Sequence, residues 1–288
     1  MSQITARFQN IYRLQDHYFE IIGCGAIGSF TAMNLARAGA ENFMLWDHDT
    51  VDSVNIGVQH YDLSHIGNSK VKMLQKQMEA INPSLNIKNK RDKYDASVYR
   101  QGFYYQHIPN EFEKKTFIII GVDSMHARYD IVNNICSKMT LGNVLYSETD
   151  LYVLDARMGS ETFQMYQWQV WTDEFKERYM ATERNGRDLP PHERYEVRRE
   201  LLKEVSIAFR EKYLETWYDD ESGDSEPCNA RSTNYCASMA GSFINNQIRK
   251  IVDTSSPTNT NVVFNFPAMM LKCDTDYNVL QQTQTNQT

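Results

Sequence analysis

One stretch near the start of the chain, residues 18–49, constrains the fold more than any other part of the sequence. Its first five residues, Tyr18–Ile22, are mostly apolar and predict a buried strand. Three glycines at the spacing G-x-G-x-x-G follow, and the small residues over 29–38 then predict a helix. A second apolar strand over 43–46 stops at the acidic sequence Asp47-His48-Asp49. This order of strand, glycine loop, helix, strand and acid is typical of a nucleotide site.

Each glycine of this loop has a separate structural role. Gly23 permits the sharp turn from strand to helix, Gly25 lets phosphates approach the backbone, and Gly28 allows the helix to pack closely on the sheet. The helix N-terminus then offers unpaired N–H groups and a partial positive charge to an anion. Asp47 can accept hydrogen bonds from ribose hydroxyls. These features suit ATP and NAD equally well.

Length and charge narrow the class of protein. A chain of 288 residues is long enough for one large domain, or for one domain with a substantial insertion. The formal net charge of −7 argues against a nucleic-acid surface. No apolar run approaches the roughly 20 residues that span a membrane, and the first residues lack the apolar core of a secretion signal. We therefore expect a cytoplasmic protein without a membrane or nucleic-acid partner.

The cysteines argue against a structural metal or a disulfide framework. The five cysteines are scattered along the chain and form no C-x-x-C pair. We therefore expect no zinc site. Four of them are predicted to be packed thiols, namely Cys24, Cys136, Cys236 and Cys273.

The rest of the chain alternates strands and helices. Residues 116–122 are continuously apolar, as in a central parallel strand, and Asp123 follows them at the edge where such sheets bind ligands. The patterns over 151–155 and 161–171 predict antiparallel strands with Arg157 at the bend between them. Further strands are expected over 85–88, 144–147 and 262–266, and helices over 70–81, 125–139, 193–217 and 233–252.

Together these elements predict an α/β fold. We expect a Rossmann-like, doubly wound, mostly parallel sheet with antiparallel C-terminal strands and a helical insertion over 172–218. Residues 1–150 would form the nucleotide-binding half. Residues 151–288 would complete the same domain, and they include an acidic linker over 219–227.

The motifs, taken in order, resemble those of the ThiF/MoeB adenylating enzymes, the ancestors of ubiquitin-activating enzymes. TVDSVNIGVQ at 50–59 is similar to the family's acid-x-V-x-x-x-N-x-x-R-Q run, and IGNSK at 66–70 to its G-x-x-K. GVDS at 121–124, with Arg128, is similar to its T-D-N…R. The match is specific through the first half of the chain and looser over 228–252.

This resemblance implies a reaction. In the family, a carboxylate attacks the α-phosphate of ATP, pyrophosphate leaves, and an acyl-adenylate forms. The carboxylate is usually the C-terminus of a small ubiquitin-like or sulfur-carrier protein, or of a peptide. The resemblance therefore implies ATP and Mg²⁺ as cofactors, such a protein or peptide as partner, and a homodimer.

The resemblance also implies roles for individual residues. Lys70 would neutralise phosphate charge, and Asp123 would hold Mg²⁺, a hard cation that prefers carboxylate and phosphate oxygens. Asn55 and Gln59 would lie near the triphosphate. The remaining nucleotide-binding residues would be Gly23, Gly25, Ala26, Ile27, Gly28, Asp47 and Asp49.

The sequence departs from the family pattern at the arginine before Gln59. Val58 stands at that position, so one phosphate-binding cation is missing. Arg7 or Arg13, from a partner subunit, or Arg157 would be a replacement. Cys228 is the candidate acceptor thiol, because it follows the acidic linker and precedes Gly241-Ser242 by about a dozen residues, which is close to the family's spacing.

Two alternatives to adenylation remain open from the sequence. One is an NAD-dependent oxidoreductase, although such an enzyme has no need for Lys70 or for the GVDS motif. The other is a catalytically reduced nucleotide-binding module of the same fold, which Val58 favours.

Overall fold

The computed structural model describes residues 13–95, 114–140, 150–185, 190–218, 232–253 and 259–275. Within these residues, eight strands pair into one continuous sheet, and six helices pack against it. The predicted α/β fold with antiparallel C-terminal strands is confirmed. The division of the chain at residue 150 stays a prediction.

The elements have the following bounds. The strands are β1 (Tyr18–Ile22), β2 (Asn42–Trp46), β3 (Asn86–Lys90), β4 (Lys115–Ile120), β5 (Asp150–Met158), β6 (Thr162–Gln169), β7 (Asn259–Asn265) and β8 (Met270–Thr275). The α-helices are α1 (Ala26–Arg37), α2 (Lys70–Ile81), α3 (Met125–Thr140), α4 (Asp173–Asn185), α5 (Pro191–Leu214) and α6 (Asn234–Val252). Among the described segments, none of these helices combines the length and the apolar character that a membrane crossing requires.

The strand order places a ligand site between β1 and β4. The order is β3-β2-β1-β4-β5-β6-β7-β8, and the first five strands are parallel. From β1 the chain first builds the sheet outward through β2 and β3, and then returns to build the other side from β4. Open α/β sheets bind ligands at such a switch point, outside the carboxyl ends of the strands.

Two hydrophobic cores lie on the two faces of the sheet. One core joins the sheet to α1, α2 and α6, and it includes the stacked rings of Phe19 and Phe117. The other joins the sheet to α3, α4 and α5 around Trp171 and Tyr179. Because β1 and β4 are buried on both faces, their continuous apolar runs are explained.

On the first face, α1 and α6 approach each other closely because α6 carries a glycine at the contact. A Cβ on Gly241 would lie 2.9 Å from the backbone nitrogen of Thr31 and 3.0 Å from the Cβ of Phe30. Gly241 therefore allows this close contact between the two helices.

One strand differs from its prediction. Residues 151–155 were predicted to pair antiparallel, but β5 runs parallel to β4 on one side and antiparallel to β6 on the other. The strand predicted over 144–147 lies outside the described residues. Arg157 is not in the bend either, since it lies within β5 and pairs with Gln164. The aromatic pattern showed a strand here but carried no information on its partners.

The sequence also missed the last strand. β8 follows β7 directly and pairs with it in antiparallel register. Its side chains over 270–274 are exposed, so the strand has no buried face to produce an alternating pattern. Cys273 lies in this strand and is exposed, so the prediction of a packed thiol was wrong there.

Candidate nucleotide site

A cavity of about 350 Å³ lies at the carboxyl ends of β1, β2 and β4. The glycine loop forms one part of its wall, and the residues after β2, β3 and β4 form others. Most of the nucleotide-binding residues predicted from the sequence line this cavity, as does the predicted magnesium ligand Asp123. The nucleotide-binding residues are Gly23, Gly25, Ala26, Ile27, Asp47, Asp49, Gln59 and Lys70.

Steric constraints fix the glycine loop. Gly23 has a φ of 90°, and a Cβ there would lie 2.8 Å from the carbonyl oxygen of Gly121. A Cβ on Gly28 would lie only 1.9 Å from the carbonyl oxygen of Gly23. Gly25 is the N-cap of α1, and no side chain caps this end of the helix. The first turn of the helix lines the cavity, so its backbone N–H groups remain available to an anion there.

Asp47 ties the end of β2 to the glycine loop. Its Oδ2 accepts a hydrogen bond of 2.8 Å from the backbone N–H of Cys24, and its Oδ1 accepts one of 2.8 Å from the N–H of Asp49. The side chain is buried yet lines the cavity. A carboxylate accepts about four hydrogen bonds in all, so this one retains acceptor capacity for a ribose hydroxyl.

Lys70 is the first residue of α2 and is paired with Asp49. The Nζ of Lys70 lies 2.9 Å from the Oδ2 of Asp49, and the lysine side chain is almost fully buried. Burial acts to raise the pKa of Asp49, but the hydrogen bond and charge of Lys70 outweigh it and hold this pKa below its ordinary value. The buried lysine therefore presents its charge at the cavity rather than to bulk solvent.

The loop over 50–69 is ordered by two short 3₁₀ turns, each capped by an aspartate. Asn55 is buried in the first turn, where its Oδ1 accepts the N–H of Asp52 at 2.8 Å, and it does not belong to the described lining of the cavity. Gln59 is buried and does line it, and its Oε1 has no hydrogen-bond partner among the described residues. The structure thus separates two residues that the sequence motif treated alike.

Two further residues of this loop bear on the site. Val58 is buried and is not among the described residues that line the cavity. Tyr61, which the sequence did not single out, donates a hydrogen bond of 2.8 Å from its hydroxyl to the carbonyl oxygen of Cys24. This bond fixes the loop against the glycine loop, and no sequence motif signals it.

Asp123 lies beyond the end of β4 and is exposed to the cavity. It precedes α3, whose first turn is capped by the Ser124 hydroxyl, which accepts the N–H of Ala127 at 3.1 Å. A single exposed carboxylate suits Mg²⁺, which is commonly bound through one or two carboxylates together with substrate phosphates. Asp47, His48 and Asp49 also lie close together, but the first of these carboxylates already accepts two backbone N–H groups.

A buried charge cluster lies on the β5 side of the cavity, and the sequence did not reveal its centre, Asp155. This carboxylate is fully buried and is paired with both Arg128 and Arg157. Arg128 also donates to the carbonyl oxygen of Val122, while its Nε has no partner among the described residues. Tyr213 donates to Asp155 at 3.0 Å. Both arginines line the cavity.

The remaining predicted site residues do not join this group. Arg13 is exposed and is absent from the described cavity lining. Cys228 and Arg7 lie outside the described residues. Cys24, Cys136 and Cys236 are buried, as predicted, and burial raises the pKa of Cys136 and of Cys236 to about 11, so these thiols stay protonated.

A doubly wound sheet with a glycine loop, a strand-end carboxylate and a buried lysine around one switch-point cavity defines a nucleotide-binding α/β protein. The sequence profile of the ThiF family matches residues 3–281. The chain therefore belongs to the ThiF family, which confirms the resemblance seen in the sequence.

Curated relatives match shorter stretches. The chain is 33% identical over 98 residues to a tRNA threonylcarbamoyladenosine dehydratase of Bacillus subtilis (strain 168), an alignment that covers 34% of this chain and 39% of the relative. It is 29% identical over 80 residues to ubiquitin-like modifier-activating enzyme 5 of Oryza sativa subsp. japonica, covering 28% of this chain and 19% of the relative. The matched stretches span well under half the length of these relatives.

Solved structures share the fold over most of the chain. The crystal structure of PaaA matches with a TM-score of 0.57 at 14% identity, and covers 91% of this chain and 65% of that one. The crystal structure of E. coli MccB matches with a TM-score of 0.55 at 11% identity, over 91% of this chain and 63% of that one. At these identities the likeness shows the fold alone.

Proposed function

We propose that this protein binds ATP with Mg²⁺ and adenylates the C-terminal carboxylate of a peptide or of a small ubiquitin-like or sulfur-carrier protein. One observation carries the proposal. The glycine loop, Asp47, the buried Lys70 and the exposed Asp123 all line one cavity at the switch point of the sheet. An oxidoreductase has no use for the lysine and the second acid.

In this proposal the residues position the reactants and neutralise charge. A carboxylate nucleophile needs no general base, so most of the rate enhancement comes from alignment and electrostatics. Asp47 holds the ribose, the N-terminus of α1 holds phosphate oxygens, and Lys70 exchanges its partner Asp49 for a phosphate. Asp123 would hold Mg²⁺, which would supply positive charge to the phosphates.

The relatives support this reading by analogy. One curated relative is a ubiquitin-like modifier-activating enzyme, and the structures with the same fold include E. coli MccB with ATP and E. coli MccB with MccA. Transfer of the acyl group to Cys228 and a homodimer belong to the proposal through the family resemblance, and a cytoplasmic location belongs to it through the sequence alone.

A second candidate is a nucleotide-binding module with reduced catalysis. Val58 is buried where the family has an arginine, and the guanidinium of Arg157 is already engaged by Asp155. Neither position therefore supplies a free cation to the phosphates in the described part of the chain.

ATP–pyrophosphate exchange with Mg²⁺ and candidate carboxylate substrates tests the proposal. We expect Lys70→Met and Asp123→Asn each to lower exchange by about a hundredfold or more, the size seen when one charge-stabilising group is removed. Lys72→Met is the matched control, because Lys72 lies on the same helix but is exposed, and it should retain activity. ATP binding without exchange for any substrate would favour the reduced module.

A further inference from the structure

The C-terminal end of the helical insertion reaches the nucleotide cavity. α5 packs on the sheet through Phe209 and Tyr213, and the residues that follow it continue to the cavity. Trp217 contacts the rings of His126 and Tyr129 edge-on, at centroid distances of 5.4 and 5.8 Å. Tyr218 then lines the cavity itself while remaining 45% exposed.

Arg157 holds this end of the insertion in place. Its Nη1 donates to the backbone carbonyl of Thr216 at 2.7 Å, and its Nη2 donates to the Thr216 hydroxyl at 2.8 Å. Its Nε and Nη2 also donate to Asp155, at 2.9 and 2.7 Å, which fixes the plane of the guanidinium. The guanidinium lies 5.5 Å from the ring centroid of Tyr218 and 4.6 Å from that of Tyr166.

These contacts make Arg157 a poor ligand for phosphate. Four donated hydrogen bonds leave little of its five-donor fork for a ligand, and Asp155 offsets its charge. Burial acts to lower the pKa of Arg157, but Asp155 outweighs it and holds this pKa above its ordinary value. The charge of Arg157 is therefore permanent and already paired.

The cavity has a side that the nucleotide roles do not use. The glycine loop follows β1, whereas Arg157 and Met158 end β5, two strands away, or about 10 Å at the usual strand spacing. Met158, Tyr218 and Ser232 line this side together with Arg157. With the phosphates at the glycine loop, this side of the cavity offers an acyl substrate a route to the α-phosphate.

We propose that Tyr218 is a specificity-determining residue for the acyl substrate and that Arg157 is the positioning residue that holds it. The proposal rests on the adenylation function proposed above. The ligand is the C-terminal residue of a peptide chain, which enters with its carboxylate toward the glycine loop and packs against the exposed face of the Tyr218 ring. The insertion would thus select the substrate while the parallel half of the sheet binds the nucleotide.

Affinity selection from a peptide library tests this assignment. Hexapeptides randomised at their last three positions, with free C-terminal carboxylates, compete against the same peptides as C-terminal amides, in the presence of Mg²⁺ and a non-hydrolysable ATP analogue. We expect the wild-type protein to enrich free carboxylates with a preference at the last position. Tyr218→Ala should weaken the selected peptides at least tenfold and change that preference, whereas Tyr218→Phe should retain both.

Arg157 and its partner are tested by the same selection. Arg157→Lys keeps the charge but cannot make the forked contacts, so it should reproduce the loss of preference seen for Tyr218→Ala. Thr216→Val removes the hydroxyl that accepts from Arg157 and donates to the carbonyl oxygen of Tyr213, but it keeps the backbone carbonyl that Arg157 also contacts. Its effect on the preference should therefore be smaller, and it is measured in a variant whose thermal stability matches that of the wild type. The affinity for the ATP analogue should stay within twofold in all variants. Tyr195→Ala, an exposed tyrosine on the same insertion, is the control.

The outcomes separate this assignment from the proposed function. Three results would overturn the assignment. Tyr218→Ala could keep the wild-type preference, or it could lose affinity for the ATP analogue as much as for the peptides. The wild-type protein could also enrich no free carboxylate over its amide. Selected peptides that support no pyrophosphate exchange would instead refute adenylation and leave the subsite standing. If pyrophosphate exchange by Tyr218→Ala shows the same substrate preference as the wild type, the subsite alone is refuted.

Discussion

At the scale of single residues, the glycine loop depends on the absence of particular atoms. Gly28 lies so close to the first turn of the loop that a Cβ would overlap the carbonyl oxygen of Gly23 and also approach Ile21. The obstacle is backbone rather than a flexible side chain, so it cannot move aside by a change of rotamer. The loop and the helix would have to separate instead.

Replacing this glycine should therefore damage both stability and binding. We expect Gly28→Ala to lower the free energy of unfolding by about 3 kcal/mol, at the upper end of the usual cost of overpacking, and to abolish ATP binding. Urea unfolding and calorimetry measure the two effects. Gly57→Ala is the control, because a Cβ there meets nothing within 4 Å, and it should change neither quantity. Equal effects from the two substitutions would contradict the steric argument.

At the scale of elements, buried polar groups join β1, β4, β5 and α4 at the edge opposite the cavity. Asp150 accepts from the Nζ of Lys115 and of Lys176, both at 2.8 Å, which ties the insertion to the sheet. His17, just before β1, accepts the backbone N–H of Lys115 on its Nδ1 at 3.2 Å. Burial and the nearby Lys115 lower the pKa of His17 to about 4.

This histidine predicts a dependence of stability on pH. The folded state takes up the proton only near pH 4, whereas the unfolded state takes it up near 6.5, so acid favours unfolding between these values. The contribution is complete above pH 6.5 and should fall by about 2 kcal/mol between pH 7.5 and 5. His17→Gln should remove this part of the slope in urea unfolding, while His192→Gln, at an exposed position, should follow the wild type. Parallel curves for wild type and His17→Gln would contradict the assignment.

At the scale of the whole molecule, one sheet carries both the nucleotide half and the insertion. The two cores share the strands β1, β4 and β5, so neither face can unfold without exposing the other. Such an arrangement favours one cooperative unfolding transition. Ligand binding at the switch point should then stabilise the entire sheet.

Nucleotide choice can be measured through this coupling. At a concentration of 100 times its Kd, MgATP should raise the free energy of unfolding by about 2.7 kcal/mol, while NAD at the same concentration should raise it far less. Thermal unfolding with each nucleotide gives the comparison, and Asp47→Asn should reduce the shift with ATP. A larger shift with NAD than with MgATP would contradict adenylation and favour the oxidoreductase instead.

The local pattern of residues determined the elements that contain the candidate site. β1 begins and ends where its apolar run does, α2 covers the predicted 70–81, and α6 differs from its predicted range by one residue. Glycine spacing, helical periodicity and strand-end acids act over a few residues, so they can be seen without knowing the fold. They were sufficient for the α/β class and for the glycine loop, Asp47, Lys70 and Asp123 of the cavity wall.

The tertiary structure alone decided what those elements touch. It made β5 parallel to β4, hid Asn55 in a turn while Gln59 lined the cavity, and enclosed Asp155 between two arginines from separate elements. It also turned Arg157 from a candidate phosphate ligand into a residue that holds Thr216, just after the end of α5. Strand pairing and buried charge depend on contacts between residues far apart in the chain, and a single sequence carries no local pattern for such contacts.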